Sequence, residues 1–287
     1  MKWRDARRSE NVEDRRGMRV GTATAGIGGA GLLLILVVSL LTGRNPLELL
    51  QQVGPMPDSA QVGPGGPGAP SADGNDEASD FVRAVLGDIE DSWGRIFAAS
   101  NRRYDPPGLV LFSDAVESAC GFGSAAVGPF YCPGDSKVYL DLSFFEELSR
   151  RFGAPGDFAA AYVIAHEVGH HVQGLLGIEG QVTRMRQRVG EAEGNALSVR
   201  LELQADCFAG VWGHHAARKD LLEEGDVEEG LQAAAAIGDD RMQRRSQGYV
   251  TPDSFTHGSS AQRVEWFRRG LQSGEVQSCD TFQGSLR

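Results

Sequence analysis

The stretch AHEVGHHVQ, residues 165–173, holds three histidines and one glutamate within six consecutive positions. The whole chain of 287 residues has only six histidines, so half of them lie here. The spacing H-E-x-x-H on a helix places His166 and His170 on one face, where both rings can reach one metal ion. Glu167 adjoins the first histidine and can contact a water at that ion without being a ligand. His171 points about 100° away from this face.

Apolar residues surround this polar face on both sides. The letters FAAAYVIAHEVGHHV, residues 158–172, predict a buried helix that spans 157–174. The simplest alternative is a helix whose histidines are solvated or satisfied within the core. Burying a His-Glu-His face without a metal would be costly, which favours a metal site.

A second predicted helix offers the third ligand that a zinc site requires. Within LSVRLELQADCFAGVW, residues 197–212, Glu202 and Asp206 are four positions apart and share a face. Glu202 can ligate the metal, and Asp206 can accept the other ring N–H of a ligand histidine. The reverse assignment, with Asp206 as the ligand, stays open, as does a solvated acidic pair. His214 and His215 lie too far along this helix to reach the same ion.

Basic side chains are concentrated at the start of a chain whose net charge is −11. Residues 1–19 carry seven basic and four acidic side chains, and residues 20–43 carry no charge at all. The uncharged run is long enough to cross a bilayer, which takes about 20 residues. We expect an uncleaved anchor rather than a signal peptide, because no A-x-A-like site follows Leu41. The basic leader should then stay in the cytoplasm, with the remainder exported across the cell membrane.

The rest of the chain divides into a tether and one folded domain. Residues 44–79 are rich in Pro, Gly and Ser and predict a flexible tether. Residues 80–287 predict an α+β domain, with strands first and helices afterwards. Its negative charge argues against a nucleic-acid surface. The predicted strands are 108–114 and 137–143; the predicted helices are 80–96, 143–153, 157–174, 193–217, 226–246 and one that starts at 259, with capping boxes at 143–146 and 259–262.

Four cysteines follow the uncharged run, an even number on the side expected to be exported. Four cysteines allow three pairings. We favour Cys120–Cys132, which closes a Gly-rich segment, and Cys207–Cys279, which ties the C-terminal tail to a helix. A zinc-thiolate site is disfavoured, because the chain has no C-x-x-C spacing.

Taken together, these motifs resemble a known family. HEVGHH followed by ELQAD is similar to the pattern of gluzincin metallopeptidases. With RRSENVEDRRG, KVYLDLSFF, AIGDDRMQ and FTHGSSAQRVEWFRRG, the chain resembles the bacterial neutral zinc metallopeptidases of the YpfJ type. The resemblance implies one Zn²⁺ per chain, hydrolysis of peptide bonds, and a zincin-like fold with a small antiparallel-type sheet. It does not identify the peptide or protein substrate.

The segment FTHGSSAQRVEWF, residues 255–267, resembles the T-H-P…R segment of HtpX-like gluzincins. By that resemblance His257 faces the active site and stabilises the oxyanion of the tetrahedral intermediate. The alternative is a loop histidine that is satisfied by local backbone. Asp239 and Asp240, which follow a glycine, are expected to have a packing or salt-bridge role.

The expected mechanism is zinc-assisted peptide hydrolysis. His166, His170 and Glu202 would hold the metal, and Glu167 would take a proton from the attacking water and deliver it to the leaving amine. An extended substrate could pair with a sheet edge at 139–142. Two other functions stay open: a zinc-stabilised pseudo-peptidase that binds partners without cutting them, and a metal hydrolase that acts on another kind of bond.

Overall fold

A mixed sheet of four short strands lies beside the helices that carry the histidines. The computed structural model describes residues 1–17, 76–124 and 128–282, all of which belong to one compact unit. The strands of the described residues are β1 (Val12–Asp14), β2 (Gly108–Phe112), β3 (Ala115–Ser118), β4 (Gly121–Ser124), β5 (Phe130–Cys132) and β6 (Lys137–Asp141).

The four-stranded sheet has the order β1-β2-β6-β5, and β3 and β4 form a separate antiparallel hairpin. β1 and β6 both run parallel to β2, and only β5 is antiparallel to its neighbour β6. The expected antiparallel-type sheet is therefore wrong. The physical reason is that long connections join the paired strands, which permits parallel crossovers instead of hairpins. The predicted substrate edge at 139–142 is wrong at Tyr139, which pairs with Phe130 of β5 as well as with Val110 of β2; the register pairs Leu140 and Asp141 with β2 alone.

The helices of the described residues confirm the mixed α+β prediction. They are α1 (Glu77–Ala99), α2 (Ser143–Arg150), α3 (Asp157–Leu176), α4 (Ile178–Arg186), α5 (Glu191–Arg218), α6 (Asp226–Ala236), α7 (Asp239–Gln247) and α8 (Ser260–Ser273).

Two details of the helix prediction are wrong. The helix predicted at 226–246 is interrupted at Gly238, where a Cβ atom would collide with the backbone of Ser260 at the start of α8. The predicted capping box at 143–146 is absent, since Ser143 lies inside α2 and its N–H is satisfied by the Asp141 carboxylate at 2.9 Å. The box at Ser259, by contrast, is confirmed with both of its reciprocal hydrogen bonds.

The first 17 residues differ most from the predicted organisation. Val12 pairs with Leu109, which makes β1 a strand of the same sheet as β2. Trp3 is buried, and its ring packs edge-on against Phe81 of α1 at 5.4 Å. A single membrane crossing between the leader and the domain would separate strands that pair here. The predicted placement of the two on opposite sides of a membrane is therefore incompatible with the sheet.

Four basic side chains of this segment, Arg4, Arg7, Arg8 and Arg16, form ion pairs with α1 or its N-cap. Arg8 binds Asp80 at 2.6 Å, and Arg16 binds Asp76, the N-cap of α1, also at 2.6 Å. Buried Glu90 accepts hydrogen bonds from Ser9, Asn11 and Arg7; these bonds are 2.6, 2.7 and 2.7 Å long. The charges that suggested a cytoplasmic leader thus have partners within the domain.

The predicted anchor at 20–43 lies outside the described residues, and so does the predicted tether as far as residue 75. Within residues 1–17, 76–124 and 128–282, no helix is both long and apolar enough to span a bilayer.

Both predicted disulfides are confirmed. Cys120 and Cys132 join the β3–β4 region to the edge strand β5, with Cα atoms 5.8 Å apart. Cys207 of α5 and Cys279 are joined with Cα atoms 5.5 Å apart, which fixes the C-terminal segment on that helix. The four cysteines of the chain are all used in these two bonds.

Candidate metal centre

Helix α3 carries the H-E-x-x-H motif through the middle of the core. Its first half is almost wholly apolar, and the buried side chains pack against α1, α5 and α6. The helix ends at Gly177, whose left-handed conformation favours glycine. His166 and Glu167 are buried, whereas His170 is half-buried and faces a cavity.

Helices α3 and α5 approach each other most closely where a glycine faces an alanine. A Cβ atom on Gly169 would lie 2.9 Å from the carbonyl oxygen of Ala205, which is closer than such atoms normally come. The absence of that atom lets the two backbones meet. Gly169 lies one position before His170, and Ala205 one position before Asp206, so this contact also brings the polar faces together.

The three predicted ligands converge at this crossing. Nε2 of His166 lies 3.2 Å from one carboxylate oxygen of Glu202, and Nε2 of His170 lies 3.4 Å from the other. One ligand atom from each of the three residues lies within 4.8 Å of the other two. Ligand atoms about 2.1 Å from a tetrahedral zinc are about 3.4 Å apart, so this donor set fits zinc.

Hydrogen bonds on the opposite ring nitrogens leave both Nε2 atoms facing Glu202, where a metal would bind. Nδ1 of His166 donates to the carboxylate of Asp206 at 2.8 Å, and Nδ1 of His170 donates to the amide oxygen of Gln173 at 2.9 Å. Gln173 is held in turn by its own amide nitrogen, which donates to the carbonyl oxygen of Leu201 at 2.7 Å. Such partners fix the tautomer and orientation of ligand histidines.

Asp206 is the centre of a buried polar network that joins three helices. Arg263 of α8 donates two parallel hydrogen bonds to its carboxylate, each 2.8 Å long, and Tyr162 of α3 donates another. Arg263 is only 2% exposed, so its charge depends on this pairing. Close contacts between the backbones of α5 and α8 at Gly210 and Gly270 allow Arg263 to reach Asp206.

The metal-free centre has strongly coupled charges. Burial lowers the pKa of His166, but the carboxylates of Asp206 and Glu202 outweigh this effect and raise it to about 10. Burial raises the pKa of Glu202, but the two histidines hold it well below the ordinary value. The pKa of Asp206 is likewise lowered, because Arg263 and His166 outweigh its burial. A cation is therefore favoured among these carboxylates, whether it is a proton or a metal ion.

The centre opens into a cavity of about 620 Å³. Glu167 lines this cavity together with His166, His170 and Glu202, while it stands outside the group of atoms that converge on one point. Phe130 and Tyr131, on the edge strand β5, form another part of the wall. The cavity thus joins a candidate metal centre, an additional carboxylate and a sheet edge.

His257 lines the same cavity from the loop before α8. One carboxylate oxygen of Asp239 accepts the backbone N–H groups of Thr256, His257 and Gly258 at 2.7–3.0 Å. The other oxygen lies 3.3 Å from Nδ1 of the His257 ring. This hydrogen bond raises the pKa of His257, whose side chain is still 54% exposed. Asp239 thus holds both the loop and the ring, a role more specific than the salt bridge expected for it.

The remaining histidines make contacts away from the centre. His171 is buried, donates from Nε2 to the carbonyl oxygen of Asp105 at 2.6 Å, and accepts from the hydroxyl of Tyr131 at Nδ1. His214 and His215 bond to the backbone carbonyls of Leu271 and Gly274. They lie away from the metal centre, as their position along α5 predicts. The sequence interpretation missed the contacts of Gln173, Tyr162 and Arg263. The only local signal for these contacts is helical spacing. Gln173 lies three positions after His170, and Tyr162 lies four positions before His166. Arg263 lies four positions after the Ser259 cap.

Comparison with known proteins places the chain in a family. Residues 1–282 match the model of a family described as "putative neutral zinc metallopeptidase". The chain belongs to this family. It is 48% identical to the protein YpfJ of Escherichia coli K12 over 291 residues, an alignment that covers 100% of both chains. It is also 41% identical over 253 residues to the protein Mb2605 of Mycobacterium bovis, covering 84% of this chain and 81% of the relative. No solved structure matches the chain.

The family assignment confirms the resemblance that the motifs predicted, and it implies zinc. The residues found at the centre agree with that implication, because two imidazoles and a carboxylate are common zinc ligands in hydrolases.

Proposed function

We propose that this member of the neutral zinc metallopeptidase family hydrolyses peptide bonds at the cavity described above. The observation that carries the proposal is the convergence of His166, His170 and Glu202, with Glu167 beside them in the same cavity. A purely structural zinc site is usually closed by four protein ligands. Three ligands and an adjacent carboxylate are what hydrolysis requires.

Zinc, when bound by these three residues, supplies a Lewis acid that polarises the substrate carbonyl and lowers the pKa of water. Asp206 and Gln173 keep the two ligand rings in one tautomer through their Nδ1 atoms. These bonds hold the ligands ready before the metal arrives, so that binding does not have to reorder them.

Glu167 is the proposed general base and acid. Its carboxylate takes a proton from the attacking water and delivers that proton to the nitrogen of the leaving amine. His257, held by Asp239, is proposed to donate from its ring to the oxygen that gains negative charge in the tetrahedral intermediate. The raised pKa of His257 favours the protonated ring that such a donor requires.

The edge strand β5 can pair with an extended peptide. It pairs only with β6 in the sheet order, and its residues Phe130 and Tyr131 line the cavity. A substrate that adds to this edge would run beside the metal centre with alternate side chains facing the cavity. An edge strand above a helix with H-E-x-x-H is a zincin-like arrangement, and we include that fold assignment in the proposal.

The two disulfides support an exported location for the domain, since such bonds persist in oxidising compartments. Residues 1–17 share a sheet with the domain and must lie on the same side of any membrane. Attachment to the membrane through residues 20–43 remains a prediction, and the shared sheet argues against a single crossing there.

The proposal is tested by digesting a broad peptide library at neutral pH with the full-length chain and its Glu167→Gln variant. General acid–base help commonly contributes 10²- to 10⁴-fold, so we expect cleavage by the wild type and a loss of at least about 10²-fold in the variant. Zinc content is measured in both proteins and should be equal, because Glu167 is not a proposed ligand.

Glu193→Gln, an exposed change of the same chemistry on α5, is the matched control and should cleave like the wild type. Equal cleavage by Glu167→Gln would rule out the proposed base. Zinc-loaded wild type that cuts no peptide would favour the binding module that does not cut.

A further inference from the structure

Five apolar side chains that line the cavity have no part in the chemistry assigned so far, and we call them the apolar wall. Its members come from separate segments of the chain. They are Phe144 of α2, Phe152 after α2, Val163 of α3, Ile237 between α6 and α7, and Met242 of α7.

This wall begins next to the proposed base. Val163 lies four positions before Glu167 on α3, so the two side chains are neighbours on one helix face. Ile237 is placed next to the centre by Arg263, which donates to its carbonyl oxygen at 3.3 Å. A substrate side chain against this wall would therefore belong to a residue close to the bond that Glu167 serves.

Met242 is the most informative member of the wall. Helix α7 has the sequence DDRMQRRSQ and no buried residue, yet its single large apolar side chain faces the cavity. Met242 is 37% exposed and is one of three large apolar side chains that are exposed among the described residues. An unbranched, adaptable side chain of this kind suits a surface that receives varied apolar groups.

Phe144 and Phe152 of the wall are held in place by aromatic and cationic contacts. The rings of Phe144 and Phe152 lie 6.4 Å apart, and the guanidinium groups of Arg151 and Arg245 lie 5.6 and 5.8 Å from the Phe152 ring centre. Arg245 also donates to the carbonyl oxygen of Arg151 at 3.0 Å, which ties α7 to the end of α2. This tie fixes the position of α7, whose Met242 lines the same cavity as Phe152.

We propose that this wall is a specificity subsite that accepts one large apolar side chain, aliphatic or aromatic, next to the scissile bond. The substrates would then be peptides with Leu, Phe or Met at that position. The inference rests on the proposed function, and it names the class of peptide that the cavity selects. A polar or charged side chain that packs against these five apolar side chains would lose water without gaining hydrogen bonds from them.

The test measures binding to the full-length, zinc-loaded Glu167→Gln variant, so that it does not depend on turnover. The probes are acetylated, amidated pentapeptides with alanine at every position except one, which carries Leu, Phe, Ser or Asp. Calorimetry should show that Leu and Phe peptides bind about 10- to 100-fold more tightly than Ser and Asp peptides. Equal affinities, or no binding by any of the peptides, would overturn the subsite.

A second change assigns the preference to this wall. Met242→Ser, made in the Glu167→Gln chain, should reduce the preference for Leu over Ser several-fold, and Met242→Leu should restore it. Tyr249→Ser is the matched control, because Tyr249 is also exposed but is not among the residues that line this cavity. An unchanged preference in Met242→Ser would contradict the proposal.

The two proposals fail in different ways. Apolar preference in binding, without cleavage by the wild type, would leave the subsite standing and end the proposal of hydrolysis. Cleavage by the wild type without any apolar preference would do the opposite.

Discussion

The metal centre and the N-terminal segment are both held by buried polar contacts, but only the centre is built from residue pairs that lie close together within one helix. At the centre, His166 and His170 are four positions apart on one helix, and Glu202 and Asp206 are four apart on another. In the N-terminal segment, by contrast, Val12 pairs with Leu109, which lies far along the chain. The comparison shows that residues spaced by one helical turn predict a site from sequence alone, whereas pairing between distant segments leaves no local pattern to predict it from.

The largest expected effect is the loss of the metal from the centre. The double change His166→Ala and His170→Ala removes two of three ligands, so elemental analysis should find less than about 0.1 zinc per chain. The double change His214→Ala and His215→Ala is the control and should keep one zinc. Full occupancy in the first variant would move the site elsewhere.

The N-terminal segment should matter for stability rather than for metal binding. Trp3→Ala removes a buried ring that packs against α1, and we expect it to lower the free energy of unfolding by about 3–5 kcal/mol. Denaturant unfolding of the full-length chain measures this loss. Lys2→Ala, which breaks an exposed ion pair with Asp220, should change stability by less than about 1 kcal/mol.

Trp3→Ala also tests whether the N-terminal segment and the metal centre act independently. The folded variant should still bind one zinc, because no described contact joins Trp3 to the ligands. Wild-type stability in Trp3→Ala would show that the segment is not an integral part of the domain.

A smaller effect is expected from the residue that orients His166. Asp206→Asn keeps the shape of the side chain but weakens the hydrogen bond to Nδ1, so zinc affinity should fall about 10- to 100-fold. Competition with a chromophoric chelator measures this change. A loss as complete as that caused by Glu202→Ala would instead assign the ligand role to Asp206.

The smallest effect concerns pH. The pKa of His166 is raised to about 10 in the metal-free chain, so zinc must displace a proton from it at neutral pH. Apparent zinc affinity should therefore rise with pH, by about tenfold per unit for each proton released. Calorimetry in buffers of different ionisation enthalpy counts those protons. In Asp206→Asn, which removes a carboxylate that raises this pKa, fewer protons should be released near pH 8.

The sequence predicted the elements whose signals lie within one or two helical turns. The two ligand helices, the Ser259 capping box and both disulfides were predicted correctly. The strands β2 and β6 were also predicted, because their apolar residues form short runs between turn residues. The convergence of Glu202 with the two histidines agrees with the predicted ligand set.

What the sequence did not predict depends on tertiary contacts. The strand β1 has only three residues and becomes a strand through its pairing with β2. The break at Gly238 follows from the approach of α8, and the bond from Arg263 to Asp206 requires the crossing of α5 and α8. The role of Asp239 depends on a loop that folds back onto it from 17 residues away. None of these contacts leaves a periodic pattern in a local window.

The central claim, that His166, His170 and Glu202 hold one zinc, is tested most directly by anomalous scattering at the zinc edge from crystals of the full-length chain. The account predicts a single strong peak, with Nε2 of His166, Nε2 of His170 and a carboxylate oxygen of Glu202 within about 2.2 Å of it. A peak ligated by Asp206 in place of Glu202 would contradict it. So would a sole peak at the other acidic group, Asp157, Asp226 and Glu229.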